Sequence, residues 1–275
     1  MEGLGNDYVY IDQTKETLKC DLGELAKKLS DRHFGIGSDG IILIKNSINC
    51  DFRMQMFNQD GTEAEMCGNG IRCVGKFVYD KGLTNKTHLS IETKAGTKYL
   101  DLLINNTTNT VSEVRVNMGS PIFDPKLVPY VPQIALQNKL FLSYKGESFV
   151  FTPVSMGNPH AVTFVNDVDN FDVEKYGKFF EVHEAFPNKA NIEFIEIIDK
   201  HTLKMRVWER GTGETFACGT GACAAVVASK IIGYTDGTVT VILPGGKLKI
   251  SYGNKSSKVL MTGPAKIVFD GVIEI

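Results

Sequence analysis

The first half of this chain is echoed by its second, in one register. Leu4-Gly5-Asn6-Asp7-Tyr8-Val9 returns as Met156-Gly157-Asn158-Pro159-His160-Ala161, and Ile41-Ile42-Leu43-Ile44 as Ile192-Glu193-Phe194-Ile195. The apolar pattern Leu22, Leu25, Ala26 and Leu29 returns as Val173, Tyr176, Gly177 and Phe180. The alternating segment from Phe52 to Phe57 is answered by Leu203 to Trp208. Met66-Cys67-Gly68-Asn69-Gly70 is answered by Ala217-Cys218-Gly219-Thr220-Gly221, and Met118-Gly119-Ser120-Pro121 by Thr262-Gly263-Pro264. Offsets between 144 and 152 across so many segments mean one ancestral half, duplicated. The period is too long for a solenoid. Two similar lobes related by a pseudo-twofold axis are the expectation.

The length of 275 residues is comfortable for two compact cores. With 43% hydrophobic and 23% charged residues the chain reads as globular. A net charge of −2 gives no basic footprint for nucleic acid. No apolar run approaches a membrane span, and Met1-Glu2-Gly3 opens no signal peptide. Six cysteines without a short secreted scaffold indicate reduced thiols and a cytoplasmic location. The Asn-x-Thr triplets at Asn85 and Asn106 therefore carry no meaning.

Strands are expected at 8–12, 41–45, 52–57, 88–93, 97–104 and 111–117, then at 140–144, 148–154, 161–165, 192–198, 202–208, 239–243, 247–252 and 258–261. Helices are expected at 22–30, 70–80, 173–181 and 221–232. The last is small and apolar nearly all round, from Ala222 to Ala228, so it belongs inside a sheet wrapped around it. Pro125, Pro129 and Pro132 mark a crossover between lobes. The tail 265–269 could return as a strand to the first lobe. The expected division is 1–119 with 265–275, and 120–264. Asn158 follows a full strand candidate, whereas Asn6 has five residues before it. Either the first lobe does without that strand or the chain starts late, and adding about six strand-forming residues before Glu2 should then raise the melting temperature.

Cys67 and Cys218 carry the chemistry. Each follows a strand and precedes a helical pattern, so each thiol should sit at a helix start, where exposed N–H groups and the dipole favour thiolate and hold anions. Two such thiols facing one another form a two-base device for proton transfer at carbon. Zinc fits poorly: Cys67 with Cys73, or Cys218 with Cys223, has the wrong spacing and no paired histidines. Cys73 and Cys223 should pack inside their helices, and Cys20 and Cys50 are unremarkable thiols. Gly35-Ile36-Gly37-Ser38-Asp39-Gly40 matches the dinucleotide fingerprint in form only, because an apolar strand follows it. His33, His88, His183 and His201 have no partners at diagnostic spacing and read as surface or loop residues.

The stretches Gly3 to Tyr8, Phe34 to Asp39, Phe57 to Gly61, Met66 to Cys73, Gly157 to Ala161, Ala190 to Phe194, Trp208 to Gly211, Gly213 to Thr215 and Ala217 to Gly221 together resemble the diaminopimelate epimerases. The resemblance runs over essentially the whole chain. It implies an α+β fold of two lobes, each a sheet rolled around a central helix, with the active site in the cleft between them. It implies a cofactor-independent isomerase that interconverts LL- and meso-diaminopimelate for lysine and peptidoglycan synthesis. Cys67 and Cys218 would alternate as base and acid at the α-carbon. Backbone N–H groups of Gly68, Asn69, Gly219 and Thr220 would hold the α-carboxylate as charge develops.

By the same resemblance, Asn58, Asn191 and Arg210 hold the distal amino-acid head, Arg210 pairing its carboxylate. Asn6 and Asn158 line the cleft from equivalent positions. His160 and Glu209 assist the thiols, and Glu209 also belongs to the substrate set. One position departs: many relatives have glutamine where this chain has Gly40, so Gly40 receives no side-chain role. No metal and no organic cofactor are expected, no lysine standing in a pyridoxal-phosphate context. The partner is a small-molecule substrate, with neither nucleic acid nor membrane. Oligomeric state is not written in the sequence, a homodimer being one option. Two alternatives stand beside this reading: a proline or hydroxyproline racemase of the same superfamily, and a non-enzymatic thiol-redox protein. The Glu209-Arg210 pair and Asn191 suit a longer substrate with a second charged head, and a redox protein needs no twofold set of anion-binding helix starts.

Overall fold

The structure, a computed structural model, describes residues 1–131, 135–136, 139–253 and 257–274. Pro132 and Ile275 lie outside them. Two compact units emerge, Met1–Asn117 with Thr262–Ile275, and Met118–Met261.

In the first unit the elements are β1 (Glu2–Gly3), β2 (Asn6–Asp7), β3 (Val9–Asp12), α1 (Leu22–Ser30), β4 (Gly40–Lys45), β5 (Phe52–Asn58), β6 (Glu63–Ala64), α2 (Gly68–Asp80), β7 (His88–Thr93), β8 (Gly96–Asn105) and β9 (Thr110–Asn117). The second holds β10 (Ala135–Leu136), β11 (Lys139–Tyr144), β12 (Glu147–Ser155), β13 (Pro159–Phe164), α3 (Val173–Glu181), β14 (Asn191–Asp199), β15 (Thr202–Glu209), β16 (Gly213–Glu214), α4 (Gly219–Ile231), β17 (Thr238–Leu243) and β18 (Gly246–Ser251). Strand β19 (Leu260–Pro264) leads the chain back into the first unit.

The duplication is visible strand by strand. β3 runs parallel to β4 with Val9 opposite Ile41, and β13 runs parallel to β14 with Ala161 opposite Ile192. β4 pairs antiparallel with β5, Ile41 facing Phe57, as β14 does with β15, Ile192 facing Trp208. β5 is flanked by β6 and by parallel β7, and β15 by β16 and parallel β17. The hairpins β7–β8 and β17–β18 complete the shared pattern. In the second unit β12 also lies antiparallel on β13, with Phe151 opposite Thr163. Ahead of Asn6 the first unit has the two-residue β1, paired with β2. The tail returns to that unit at one antiparallel bridge, Lys266 with Glu2, and the residues beyond it form no strand among those described.

Local chemistry explains the helices. Asp21 caps α1, its carboxylate accepting from Gly23 and Glu24 N–H groups at 2.9 and 3.1 Å. The helix then buries Leu25, Ala26 and Leu29 against Ile41 and Leu43. Asp172 caps α3 through the Lys175 N–H, and Tyr176 and Phe180 pack on Phe149, Phe151 and Phe194. α4 is buried all round, Ala222 to Ser229 being at most 1% exposed, with β12, β13, β14, β15, β17 and β18 packed around it. α2 packs on β1, β2, β8 and β9. It also buries an arginine: Arg72 donates to the Pro264 carbonyl (3.1 Å) and the Gly68 carbonyl (3.0 Å), tying the returning strand to the helix.

Candidate active site

Cys67 and Cys218 are the N-cap residues of α2 and α4. Both have extended backbones, and each sulfur accepts a hydrogen bond from the N–H three residues on, Gly70 or Gly221, at 3.3 Å. A thiol thus stands where serine or aspartate usually caps a helix. The next N–H groups, of Ile71 and Ala222, already bond the carbonyls of Cys67 and Cys218. Donors of the first helical residues, Gly68 and Asn69, Gly219 and Thr220, thus project from the helix starts, where the dipole favours anions. Gly70 and Gly221 are required by space. A Cβ on Gly70 would lie 2.7 Å from Ile42 Cδ1 and 3.4 Å from Cys67 Cβ. One on Gly221 would lie 2.9 Å from Glu193 Oε1 and 3.2 Å from Cys218 Sγ.

In the first unit the Cys67 thiol donates to Asn6 Oδ1 at 3.1 Å. Asn6 is held in turn, its Nδ2 donating to Asp39 Oδ2 at 2.7 Å. Asp39 also accepts from the Asp7 N–H and from Arg32, whose fork engages Asp7 as well. Burial first, and then neighbouring Asp7, push the Asp39 carboxyl up from the usual aspartate range, against the pull of Asn6 and Arg32. Asn58 donates to Thr62 Oγ1 at 3.2 Å in the β5–β6 turn. Asp39 and Thr62 were not singled out from the sequence. Asp39 stands in a loop with no periodicity, 33 residues from Asn6 and 32 from Asp7.

In the second unit Cys218 is 5% exposed and has Thr220 Oγ1 at 3.5 Å. Glu209, half-buried at the end of β15, accepts from the Thr215 hydroxyl, and its charge acts on the Cys218 thiol. His160 on β13 is buried, Nε2 2.9 Å from Asn158 Oδ1 and Nδ1 2.6 Å from Glu193 Oε1. Asn191 is a staple: it donates to the Pro159 carbonyl at 2.8 Å and accepts the Arg210 N–H at 2.9 Å. The exposed Arg210 guanidinium rests on the Asn188 carbonyl at 3.1 Å. Glu193 and Thr215 were also missed. The signal for Glu193 was a charged residue on the face of β14 it shares with Ile195 and Ile197.

One sequence expectation is overturned here. A helix start alone favours thiolate, yet the Cys218 thiol is pushed well above the ordinary cysteine range. Burial is the largest cause, and the carboxylates of Glu209 and Glu193 add to it. The Thr220 hydroxyl and Gly221 N–H pull the other way and lose. Burial likewise raises the Glu209 carboxyl. Cys73 and Cys223 are fully buried inside α2 and α4, and Cys20 is exposed. Gly35 to Gly40 runs into β4, not into a helix, so the dinucleotide reading fails on context. His33, His88 and His201 are exposed and His183 is half-buried. No helix among the described residues is long and apolar enough to cross a membrane, and none of their His, Cys, Asp and Glu side chains cluster as a metal site.

Solved structures give the fold. A hydroxyproline epimerase from Agrobacterium vitis matches with a TM-score of 0.64 at 12% identity, over 96% of this chain and 86% of that one. A methylitaconate-delta-isomerase matches at 0.65 and 14% identity, over 95% and 90%. In sequence the kinship is far closer. The diaminopimelate epimerase of Methanococcus maripaludis is 52% identical over 275 residues, covering 100% of this chain and 98% of its own. That of Acetivibrio thermocellus is 51% identical, covering 100% and 97%. The diaminopimelate epimerase family model matches residues 1–123 and 152–268. A duplicated chain with a cysteine capping the central helix of each repeat, and half its residues shared with these enzymes, belongs to the diaminopimelate epimerase family.

Proposed function

We propose that this isomerase interconverts LL- and meso-diaminopimelate by moving one proton at an α-carbon between two thiols, within lysine and peptidoglycan precursor synthesis in the cytoplasm. The observation that carries the reading is the matched pair of cysteine N-caps. An α-carbon proton is very weakly acidic, and inversion needs a base on one face and an acid on the other. Cys67 and Cys218, one from each repeat, are the two groups. A thiolate at one removes the proton, and the thiol at the other delivers its own to the opposite face. The spent pair then exchanges roles for the reverse direction.

Each remaining residue has a part consistent with its place. N–H groups of Gly68, Asn69, Gly219 and Thr220 hold the α-carboxylate at the helix starts and take up the charge that develops there. Asn6, bonded to the Cys67 thiol, and Asn158, bonded to His160, orient groups on the two sides. Glu209 assists Cys218 directly, and His160 acts from beside it. Arg210, exposed at the surface, takes the distal carboxylate with Asn58 and Asn191 around the distal head. A substrate with two charged heads uses all of these, whereas proline leaves the distal set idle. The test is incubation of purified protein with LL-diaminopimelate, with chiral separation of the products. Approach to a mixture with the meso isomer is expected. Turnover of L-proline with none of diaminopimelate would overturn the reading.

A further inference from the structure

Glu193 is a buried carboxylate that the mechanism above does not use. Its side chain is 0% exposed, one oxygen bonds His160 Nδ1 at 2.6 Å, and Oε2 has no hydrogen-bond partner among the described atoms. Leaving a buried carboxylate oxygen unpartnered is unfavourable, and such groups cluster where function keeps them. Packing does not require it. The first repeat builds the same corner with Ile42, which stands to Gly70 as Glu193 stands to Gly221. Met54 and Met205 complete the match, their Cε atoms 3.3 and 3.1 Å from the two Cβ positions. The scaffold thus accepts an aliphatic side chain at this place, and in the Cys218 half it carries a charge instead.

We propose that Glu193 is a positioning residue for the epimerisation: it fixes His160 through Nδ1 and, beside Gly221, sets the protonation of Cys218. The proposal rests on the two-thiol reading above. The groups that act on Cys218 are Glu193 from β14 and Glu209 from β15, with the Thr220 hydroxyl and Gly221 N–H on its own helix; His160 from β13 bonds Glu193 and acts on the Glu209 charge. Both carboxylates disfavour a second negative charge on the sulfur, and burial removes the water that would otherwise screen it. Cys218 therefore rests as the thiol, ready to deliver a proton. Through Oε1, Glu193 also selects the His160 orientation in which Nε2 meets Asn158.

The test compares the wild-type chain with Glu193→Gln, which keeps an oxygen for His160 and removes the charge. One readout needs no substrate: the pH dependence of Cys218 alkylation by iodoacetamide, followed by peptide mapping. A midpoint about one unit lower is expected in the variant, from loss of a nearby like charge. With diaminopimelate, kcat should fall about tenfold with KM within about twofold, and the alkaline limb of kcat should move to lower pH by the same shift. If Glu193→Gln does not fold, Glu193→Ile, the residue type of the first repeat, gives the same midpoint reading. An unchanged midpoint overturns the proposal. A shifted midpoint in a protein inactive on diaminopimelate would sink the functional reading and leave the role of Glu193 standing.

Discussion

The two cysteine corners share a backbone and differ in charge. α2 and α4 are both 13 residues long, each capped by a cysteine whose sulfur accepts from a glycine N–H at 3.3 Å. The first repeat has Asn6, Tyr8, Ile42 and Asn58 where the second has Asn158, His160, Glu193 and Glu209. The first thiol donates to an amide held by Asp39. The second is buried under the influence of two carboxylates, one of them bonded to a histidine. Duplication supplied two equivalent cysteine caps, and the two repeats surround them with different side chains. Chemical symmetry of the reaction does not demand symmetry of the surroundings.

The largest effect breaks the comparison at its root. If the two thiols act on opposite faces, Cys67→Ala and Cys218→Ala should each lower epimerisation at least ~10³-fold, because each removes the proton carrier proposed for one face. Steady-state assays that left one variant within tenfold of wild type would show the corners to be inequivalent in role as well as in charge.

Next comes the helix interior, where α2 holds the buried Arg72 and α4 holds the buried Cys223 at the matching position. Arg72→Met leaves the Pro264 and Gly68 carbonyls without its hydrogen bonds and should cost about 2–4 kcal/mol. Cys223→Ala removes one sulfur from a packed interior and should cost about 1 kcal/mol. Urea unfolding of the two variants reads the difference, and equal losses would contradict it.

Glu209→Gln sharpens the comparison from the activity side. Gln restores an amide where the first repeat has Asn58, and it removes one of the charges that hold Cys218 protonated. We expect about a tenfold fall in kcat and an alkaline limb displaced to lower pH. The smallest effect is on stability. Because the folded state raises the Cys218 pKa, it binds that proton more tightly than the unfolded chain does. The resulting stabilisation is complete below the unfolded value, about 8.5, and is lost as pH climbs from there through the higher folded value. Urea midpoints should therefore decline above that pH, and the decline should be shallower in Cys218→Ala.

Much of this was legible before any coordinates. Helices at 22–30 and 173–181 appear with those bounds, because Asp21 and Asp172 announce the starts and the apolar stripes run at helical spacing. α4 lies inside its sheet as its all-round apolar character requires. Strands β6 and β16 escaped notice, since two residues carry no periodicity, and so did the burial of Arg72, whose partner Pro264 lies 192 residues away. At the site, the two cysteines and the paired asparagines declared themselves through repetition. Asp39 and Glu193 act through contacts made only in three dimensions, and Glu193 reads in sequence as a strand residue like its neighbours. The upward push on the Cys218 thiol was hidden for the same reason: a helix start is local and visible, while desolvation and two carboxylates from other strands are not.

The two-thiol account meets its most direct test in deuterium oxide. Wild-type protein given LL-diaminopimelate should place solvent deuterium at one α-carbon while forming the meso isomer, and should leave L-proline unlabelled. Neither Cys67→Ala nor Cys218→Ala should form the meso isomer. Continued labelled inversion by either single variant would contradict the account, as would wild-type inversion without solvent deuterium.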